Sequence, residues 1–245
     1  MHVLPKLRIP KVDKIIDEAI DKVVKKYKKE SLEKLIKPEN FSDIINEIEE
    51  EAEEIYKSYE KMAVEGYLKS KNLISKGIID AINAIIDNSL ITSIANTRRA
   101  RAGSSSQIIL SKVLGALGIK CEVAKFKYKG YRPDIVIPSN KAFKEGVNRV
   151  FVLAVKRTLR ERWAEDIDIF KFPNSAFVLI KPDPDFTPDK AEDMAERGMK
   201  RVYLPDELYD KLKDHLNYLK EKYNVVFKPL FQLPKDLTTF LMSSH

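Results

Sequence analysis

An aspartate and a lysine stand at the ends of two short apolar runs. Asp134 opens the run DIVIP, and Lys156 closes the run FVLAVK. If the two runs are adjacent strands of a meander, both side chains lie at the same edge of a sheet. A carboxylate offers oxygen ligands to a hard divalent cation, and a neighbouring lysine places positive charge beside an attacking water or a phosphate oxygen. The alternative is a surface ion pair, which contributes at most about 1 kcal/mol to stability.

The segment RERW, just after Lys156, concentrates charge where a helix is predicted to begin. Arginine pairs bidentately with guanine O6 and N7, and glutamate accepts a hydrogen bond from cytosine N4. Arg160, Glu161 and Arg162 therefore match adjacent G·C pairs in a major groove. The alternative is an exposed helix with ion pairs, in which Glu161 pairs with Arg157 or Asp166 pairs with Arg162.

The stretch TRRARAGSSSQIIL is a second basic segment. The guanidinium groups of Arg98, Arg99 and Arg101, with the hydroxyls of Ser104 and Ser105, are suited to phosphate contacts. A simpler interpretation is a loop in which Ser104 or Ser105 caps the next helix. The two interpretations are compatible.

Composition favours a polyanionic partner and excludes several kinds of site. The 245 residues include 44 lysines and arginines against 37 acids, a net charge of +7. The three histidines, His2, His215 and His245, do not suit a histidine-ligated zinc or a Ser-His-Asp triad. Neither GxxxxGK(S/T) nor GxGxxG occurs, so we expect no nucleotide cofactor. Any catalysis must therefore use carboxylates and lysine.

Cysteine usage and hydropathy indicate the cellular compartment of the protein. The single cysteine, Cys121, excludes an internal disulfide and indicates a reducing environment. No uninterrupted apolar stretch approaches about 18 residues, and the N-terminus lacks the apolar run of a signal peptide. We therefore expect a cytoplasmic protein that does not enter a membrane. The preference for Lys, Glu and Ile, with only eight glycines, is typical of a heat-adapted proteome.

The apolar spacing of the first third of the chain is helical. Apolar positions at i, i+3, i+4 and i+7 predict an amphipathic helix over 11–36, which Pro38 ends. Ser42 can cap a second helix, and a third spans about 73–96. We expect an all-helical N-terminal region over 1–95 whose apolar faces pack on the core, bridge two subunits or clasp the DNA backbone.

Strand patterns dominate the rest of the chain. The run IKCEVAKFKYK alternates with period two, and PDIVIP, RVFVLAVK, SAFVLIK and KRVYLP are rich in β-branched residues. Helical patterns lie near 104–118, 159–170, 187–197 and 205–223. The first three strands can form a meander and the later ones need helical crossovers, so we expect an α/β core with a mixed central sheet flanked by helices, over 96–245.

The runs RPDIVIP and AVKRTLRERW, at this spacing, resemble the PD…(D/E)xK nuclease superfamily. Within it they are similar to the restriction endonucleases of the SsoII, PspGI and EcoRII group. The resemblance covers about 96–181 and leaves out the N-terminal helices. It implies a restriction-endonuclease-like core in a homodimer that uses Mg2+ to cleave double-stranded DNA. The implied target is a short palindrome containing GG and CC, such as CCNGG or CCWGG.

The same resemblance assigns roles to five residues. It makes Asp134 a metal ligand, Lys156 the catalytic lysine, and Arg160, Glu161 and Arg162 the readers of G·C pairs. Because the central bases have no evident reader in this segment, an interrupted site is preferred over CCGG. The order GGNCC uses the same donors and acceptors and stays open.

The third acid of the superfamily is displaced in this chain. Its usual place, two residues before the lysine, is held by Ala154. In the SsoII-like branch the resemblance places the acid in the following helix, where this chain has Ile169. Glu165 and Asp168 lie close enough in sequence to reach the site, and both are candidate catalytic and metal-binding residues.

Gln107 stands where many of these endonucleases have a glutamate that touches the metal shell. A glutamine can position a metal-bound water but adds no charge. Gln107 is therefore a candidate metal residue whose role differs from that of an acid.

Two other functions stay open from sequence alone. A repair or resolving nuclease could share the same core. Ala154 and Gln107 also fit a sequence-specific DNA-binding protein that has lost cleavage.

Overall fold

In a computed structural model that describes residues 8–70, 88–159 and 163–243, the first part of the chain is helical. Three helices precede residue 71: α1 (Val12–Lys26), α2 (Leu32–Leu35) and α3 (Phe41–Ser70). A short 3-10 turn, Pro38–Asn40, leads directly into α3. The helical N-terminal region that the apolar spacing predicts is therefore confirmed over these residues.

The prediction of one helix over 11–36 is wrong beyond Lys26, where α1 ends. Lys28 has a positive φ of 54°, a left-handed conformation that ends a helix. The backbone N–H of Lys29 turns back to the carbonyl of Val24, at 3.1 Å. No glycine marks this turn, so the sequence offers none of the usual signals for it.

One long helix replaces two predicted ones. The sequence predicts helices over 73–96 and 104–118, whereas α4 (Asn88–Ala116) runs without a break from the last nine residues of the first into most of the second. The first part of the predicted helix, up to residue 87, lies outside the described residues.

The serines of this segment lie inside α4, so the N-cap role expected for Ser104 or Ser105 is wrong. The Ser104 hydroxyl donates to the carbonyl of Arg101 at 3.3 Å, a bond within the helix. Ser105 and Ser106 are buried. The Ser106 hydroxyl reaches Glu49 of α3. Helix–helix packing therefore accommodates polar residues that by propensity favour a helix start.

In the described part of the chain, six strands form one mixed sheet in sequential order. They are β1 (Glu122–Val123), β2 (Ile135–Ile137), β3 (Phe151–Lys156), β4 (Ser175–Leu179), β5 (Arg201–Leu204) and β6 (Val226–Pro229). β1, β2 and β3 pair antiparallel, and β3 to β6 pair parallel. This arrangement confirms the predicted meander followed by crossovers.

The first strand is much shorter than its alternating pattern predicts. Asn140 takes over the backbone groups that a longer strand would pair: its side chain accepts from the N–H of Lys125 and donates to the carbonyl of Val123. After this point only an isolated bridge between Tyr128 and Tyr131 continues the pairing. Side-chain hydrogen bonds therefore end the ladder early.

Four further α-helices and three 3-10 segments complete the described chain; two of these segments are short, Val147–Arg149 and Leu230–Gln232. The helices are α5 (Asn140–Glu145), α6 (Pro188–Glu196), α7 (Asp206–Tyr223) and α8 (Leu233–Ser243). α6 and α7 confirm the helices predicted near 187–197 and 205–223. The helix predicted near 159–170 is instead a 3-10 helix, Trp163–Lys171. β6 and α8 were not predicted, and among the described helices none is long and apolar enough to cross a membrane.

Both faces of the central part of the sheet are covered, which explains why β2, β3 and β4 are almost continuously apolar. In β3, Leu153 and Val155 face a cluster that includes α1, α3, α4 and α8. Val152 and Ala154 face a second cluster that includes α6 and α7. The N-terminal helices and the sheet thus share one hydrophobic core, and α4 runs across position 95, where the N-terminal region was expected to end.

Candidate active site

Asp134 and Lys156 meet across the pairing of β2 with β3. Ile135 pairs with Leu153 in the antiparallel register, so Asp134, one residue earlier, lies beside the last part of β3. Its Oδ2 accepts a hydrogen bond from the backbone N–H of Val155 at 2.7 Å. The carboxylate is therefore fixed against the residue that precedes Lys156, as the two apolar runs predict.

Gln107 reaches the same carboxylate from α4. Its Nε2 donates to Asp134 Oδ1 at 2.7 Å. The amide and the Val155 N–H are neutral donors, so these two bonds orient the carboxylate without cancelling its charge. The two bonds thus fix the orientation of a carboxylate whose oxygens can ligate a hard cation.

Lys156 pairs with an aspartate that the sequence analysis did not select. Its Nζ lies 3.0 Å from Oδ2 of Asp166, which is only 6% exposed. Tyr131 donates its hydroxyl to the other oxygen, Oδ1, at 2.7 Å. Burial raises the pKa of Tyr131 far above its usual range, and the charges of Asp166 and Asp134 add to this effect. The phenol therefore remains a neutral donor to Asp166.

The two acids predicted as catalytic residues lie on the same 3-10 helix as Asp166. Asp168 is half-exposed and pairs with Lys171 at 2.7 Å. Glu165 is exposed. A 3-10 helix has three residues per turn, so Asp166 shares a side with the buried Ile169. A prediction based on α-helical spacing could not select Asp166. The signal in the sequence was the apolar Ile169, three positions later, which marks the buried side of a 3-10 helix.

The donor set suits a hard divalent cation held by few protein ligands. Asp166 Oδ2 is buried and makes no hydrogen bond to the described residues, so its contact with Lys156 is purely ionic. Within the described ranges no group of three or more His, Cys, Asp or Glu could hold a metal, so Asp134, Glu165 and Asp168 do not form one cluster. Mg2+ usually binds through one or two carboxylates and retains waters, which fits Asp134 and Asp166.

The predicted DNA contacts fall partly outside the described structure. Arg160, Glu161 and Arg162 lie outside the described residues, and the structure does not describe the Arg99 side chain. Of the remaining basic residues, Arg98 binds Glu60 through its guanidinium. Arg101 packs with its guanidinium 4.0 Å from the centre of the Tyr56 ring. Both arginines are thus engaged by α3, although the Arg98 side chain remains exposed. Ser104 is partly buried and Ser105 is buried.

Comparison with known proteins decides the family. The model of the EcoRII C-terminal family matches residues 56–219, which is more than half of the chain. The chain belongs to the EcoRII C-terminal family of restriction endonucleases. It is therefore a site-specific deoxyribonuclease, as the sequence analysis predicts. The curated proteins searched contain no match.

Solved structures of restriction endonucleases share the fold. A complex of the restriction endonuclease PspGI with substrate DNA matches with a TM-score of 0.72 and 26% identity, over 96% of this chain and 94% of that one. Metal-depleted Ecl18kI in complex with uncleaved, modified DNA matches with a TM-score of 0.68 and 16% identity, over 96% of this chain and 80% of that one. A second metal-depleted Ecl18kI complex, with uncleaved DNA, has a TM-score of 0.65 and 15% identity. The Ecl18kI matches show the fold alone, which confirms the predicted restriction-endonuclease-like core.

Proposed function

We propose that this family member is a type II restriction endonuclease that cleaves both strands of DNA at a short palindrome containing GG and CC. The observation that carries the proposal is the placement of Asp134, held by Gln107 and the Val155 N–H, beside the strand end that presents Lys156. An interrupted target of the CCNGG or CCWGG kind is preferred. GGNCC is the alternative order.

Mg2+ is the proposed cofactor, and Asp134 and Asp166 are the residues that would hold it. When bound, the ion supplies a Lewis acid for the scissile phosphate. The metal-depleted state named for the Ecl18kI complexes supports the use of a metal by this fold. Gln107 orients Asp134. Glu165 and Asp168 remain the alternative acids.

Lys156 is the proposed source of positive charge at the reacting phosphate. Asp166 holds its ammonium group at 3.0 Å. A DNA phosphate entering beside Lys156 would share this cation, because an ammonium carries three donors. The chain's own groups thus position one cation before DNA arrives.

Arg160, Glu161 and Arg162 are the proposed readers of the G·C pairs. Their support is positional: they follow the strand that ends at Lys156, and the PspGI match is a complex with substrate DNA. The proposed contacts to the DNA backbone come from Arg98, Arg99, Arg101, Ser104 and Ser105. Among these residues, Arg98 has the exposure that best suits this role.

A homodimer is the proposed assembly, because a palindrome is read most simply by two subunits related by a two-fold axis. The N-terminal region, 1–95, would contribute to the dimer or clasp DNA, and 96–245 would form the catalytic core. Met62 and Ile91, exposed by 56% and 48%, support an interface on α3 and α4. The proposed compartment is the cytoplasm.

Incubation with plasmid DNA and Mg2+, followed by sequencing of the cut ends, tests the function. Discrete fragments ending at GG/CC sites are expected. Nicking confined to branched DNA would favour a repair or resolving nuclease, and a gel shift without cleavage would favour a DNA-binding protein. Cuts at sites containing only A and T would overturn the proposed specificity.

A further inference from the structure

A carboxylate from the N-terminal helices is buried next to the candidate active site. Glu49 of α3 is only 2% exposed. The Ser106 hydroxyl donates to its Oε1 at 2.6 Å. Its Oε2 lies 3.2 Å from Nε of Arg157, within ion-pair distance. One side chain therefore connects three elements: α3, α4 and the end of β3.

The two partners of Glu49 are the chain neighbours of two active-site residues. Ser106 precedes Gln107, whose amide orients Asp134. Arg157 follows Lys156. Any shift of Glu49 must therefore move, or break contact with, the residue next to Gln107 and the residue next to Lys156.

Arg157 is held on several sides. Its Nη2 donates to Glu53, one turn further along α3. The carbonyl of Arg157 accepts from the N–H of Lys181 at 3.3 Å, and that of Lys156 accepts from Ile180 at 2.9 Å. The Arg157 side chain is thus a fixed point on the strand end rather than a mobile surface group.

Stability alone does not explain this arrangement. Removing a carboxylate from water is costly, and a buried ion pair is often no more stabilising than apolar residues of the same volume. Arg157 Nε is within ion-pair distance of Glu49 but makes no aligned hydrogen bond in the described part of the chain, so the pairing is not optimal as a stabilising contact. Its specific effect is to fix a distance between α4 and β3.

We propose that Glu49 is a positioning residue for cleavage. It holds α4 and the end of β3 at a fixed separation, so that the carboxylate of Asp134 and the ammonium of Lys156 keep the spacing that the reaction needs. This inference rests on the proposed active-site roles of Asp134 and Lys156. It makes α3 a part of the catalytic apparatus, in addition to any role in assembly.

The test compares single-turnover cleavage by wild type and Glu49→Gln. The complex is formed on a duplex with the mapped target in the absence of metal, and Mg2+ starts the reaction. Glutamine keeps an acceptor for Ser106 but loses the charge that faces Arg157. Because a misplacement of about 1 Å can cost about a hundredfold in rate, we expect the rate to fall about ten- to a hundredfold, with unchanged DNA affinity.

Glu47→Gln is the matched control. Glu47 lies on the same helix but pairs with Lys26, away from the strand end. Its variant should cleave at the wild-type rate. Rates are compared at a temperature at which each variant is fully folded, as checked by its unfolding curve.

A purely structural Glu49 would lower the unfolding midpoint without changing the cleavage rate of the folded protein, and that result would overturn the proposal. If Glu49→Gln does not fold, Ser106→Ala decides: it removes one contact of Glu49, and an unchanged rate would count equally against the proposal. Combining Ser106→Ala with Glu49→Gln should slow cleavage less than the two single effects predict together. Failure of wild type to cleave any DNA would instead reject the proposed function.

Discussion

The Asp134 carboxylate is anchored by neutral donors, whereas the Lys156 ammonium is anchored by an acid. Each side chain is therefore held in place by contacts that suit its proposed role as a metal ligand or as a cation. The two roles can be separated experimentally, because a lost metal ligand changes the Mg2+ requirement and a lost cation does not.

Asp134→Asn should reduce cleavage by about a thousandfold or more, since a metal ligand contributes several kcal/mol to the transition state. High Mg2+ should recover part of the rate. Single-turnover assays across a Mg2+ series provide the measurement.

Lys156→Ala should reduce cleavage to a comparable degree, but no Mg2+ concentration should restore it. Leaving buried Asp166 without its cation should also lower the free energy of unfolding. Urea unfolding alongside the Mg2+ series separates these effects. Wild-type cleavage by either variant would reject the assignment of the active site.

Tyr131 is expected to tune the metal site through Asp166. Tyr131→Phe removes the hydroxyl that orients Asp166 and keeps the ring, so we expect Mg2+ affinity or the cleavage rate to fall about 10- to 100-fold. Tyr128→Phe, three positions earlier, is the matched control and should retain both. Equal Mg2+ titrations for the two variants would contradict a role for Asp166 at the metal.

Among the strands, β3 explains why the acid is absent from its usual place. Ala154 is fully buried and pairs with Phe177 on one side, and the register places Asp134 on the other. A carboxylate there would sit among apolar side chains next to a like charge. The 3-10 helix instead brings Asp166 to Lys156 from outside the sheet.

Ala154→Glu should therefore destabilise the protein instead of restoring the usual motif. Burial of an uncompensated charge costs several kcal/mol, so we expect a loss on the order of 3 kcal/mol. Urea unfolding at neutral pH provides the measurement, with Ala154→Ser as a smaller polar control. An undiminished free energy of unfolding, combined with faster cleavage, would refute this account.

Regular periodicity made most elements predictable from sequence. The β-branched run that follows Asp134 and the run that ends at Lys156 indicated these strands correctly, because strands buried on both faces must be continuously apolar. Asp166 and Tyr131 were missed because their meeting depends on a 3-10 helix and on the irregular chain before β2. The end of α1 at Lys26 was missed because a lysine, and not a glycine, takes the left-handed position.

Across the entire chain, buried tyrosines bound to carboxylates should set the stability at high pH. Burial and the hydrogen bond to Glu60 raise the pKa of Tyr56 to about 12. An unfolded tyrosine ionises near pH 10, so the unfolded chain releases a proton that the folded chain keeps. The stabilisation is complete below about pH 10 and is lost as pH rises towards about 12.

Tyr56→Phe should therefore reduce the loss of stability at high pH. Between pH 9 and pH 11 we expect the free energy of unfolding of wild type to fall by about 1 kcal/mol more than that of the variant. Urea unfolding at both pH values measures it, and Tyr218→Phe, at an exposed position, serves as the comparison. Parallel pH slopes for wild type and Tyr56→Phe would contradict the expectation.

Assembly is testable through Met62, which lies exposed on α3. Met62→Glu should weaken the proposed homodimer, because a charge placed in an apolar interface must be desolvated. Light scattering should give a dimer for wild type and a larger monomer fraction for the variant. Wild type that is monomeric both free and on DNA would exclude the dimer.

The path of α4 across position 95 has a consequence for how genes of this kind can recombine. A chimera that joins the first 95 residues of this chain to the rest of a relative would have its junction inside a helix, and would replace one side of a shared hydrophobic core. Mismatched core volumes destabilise even when each parent folds well. If the segment after Lys156 reads the target as proposed, its exchange would not cut through α4, so new target sequences should spread through such genes by small local exchanges more readily than by swapping halves.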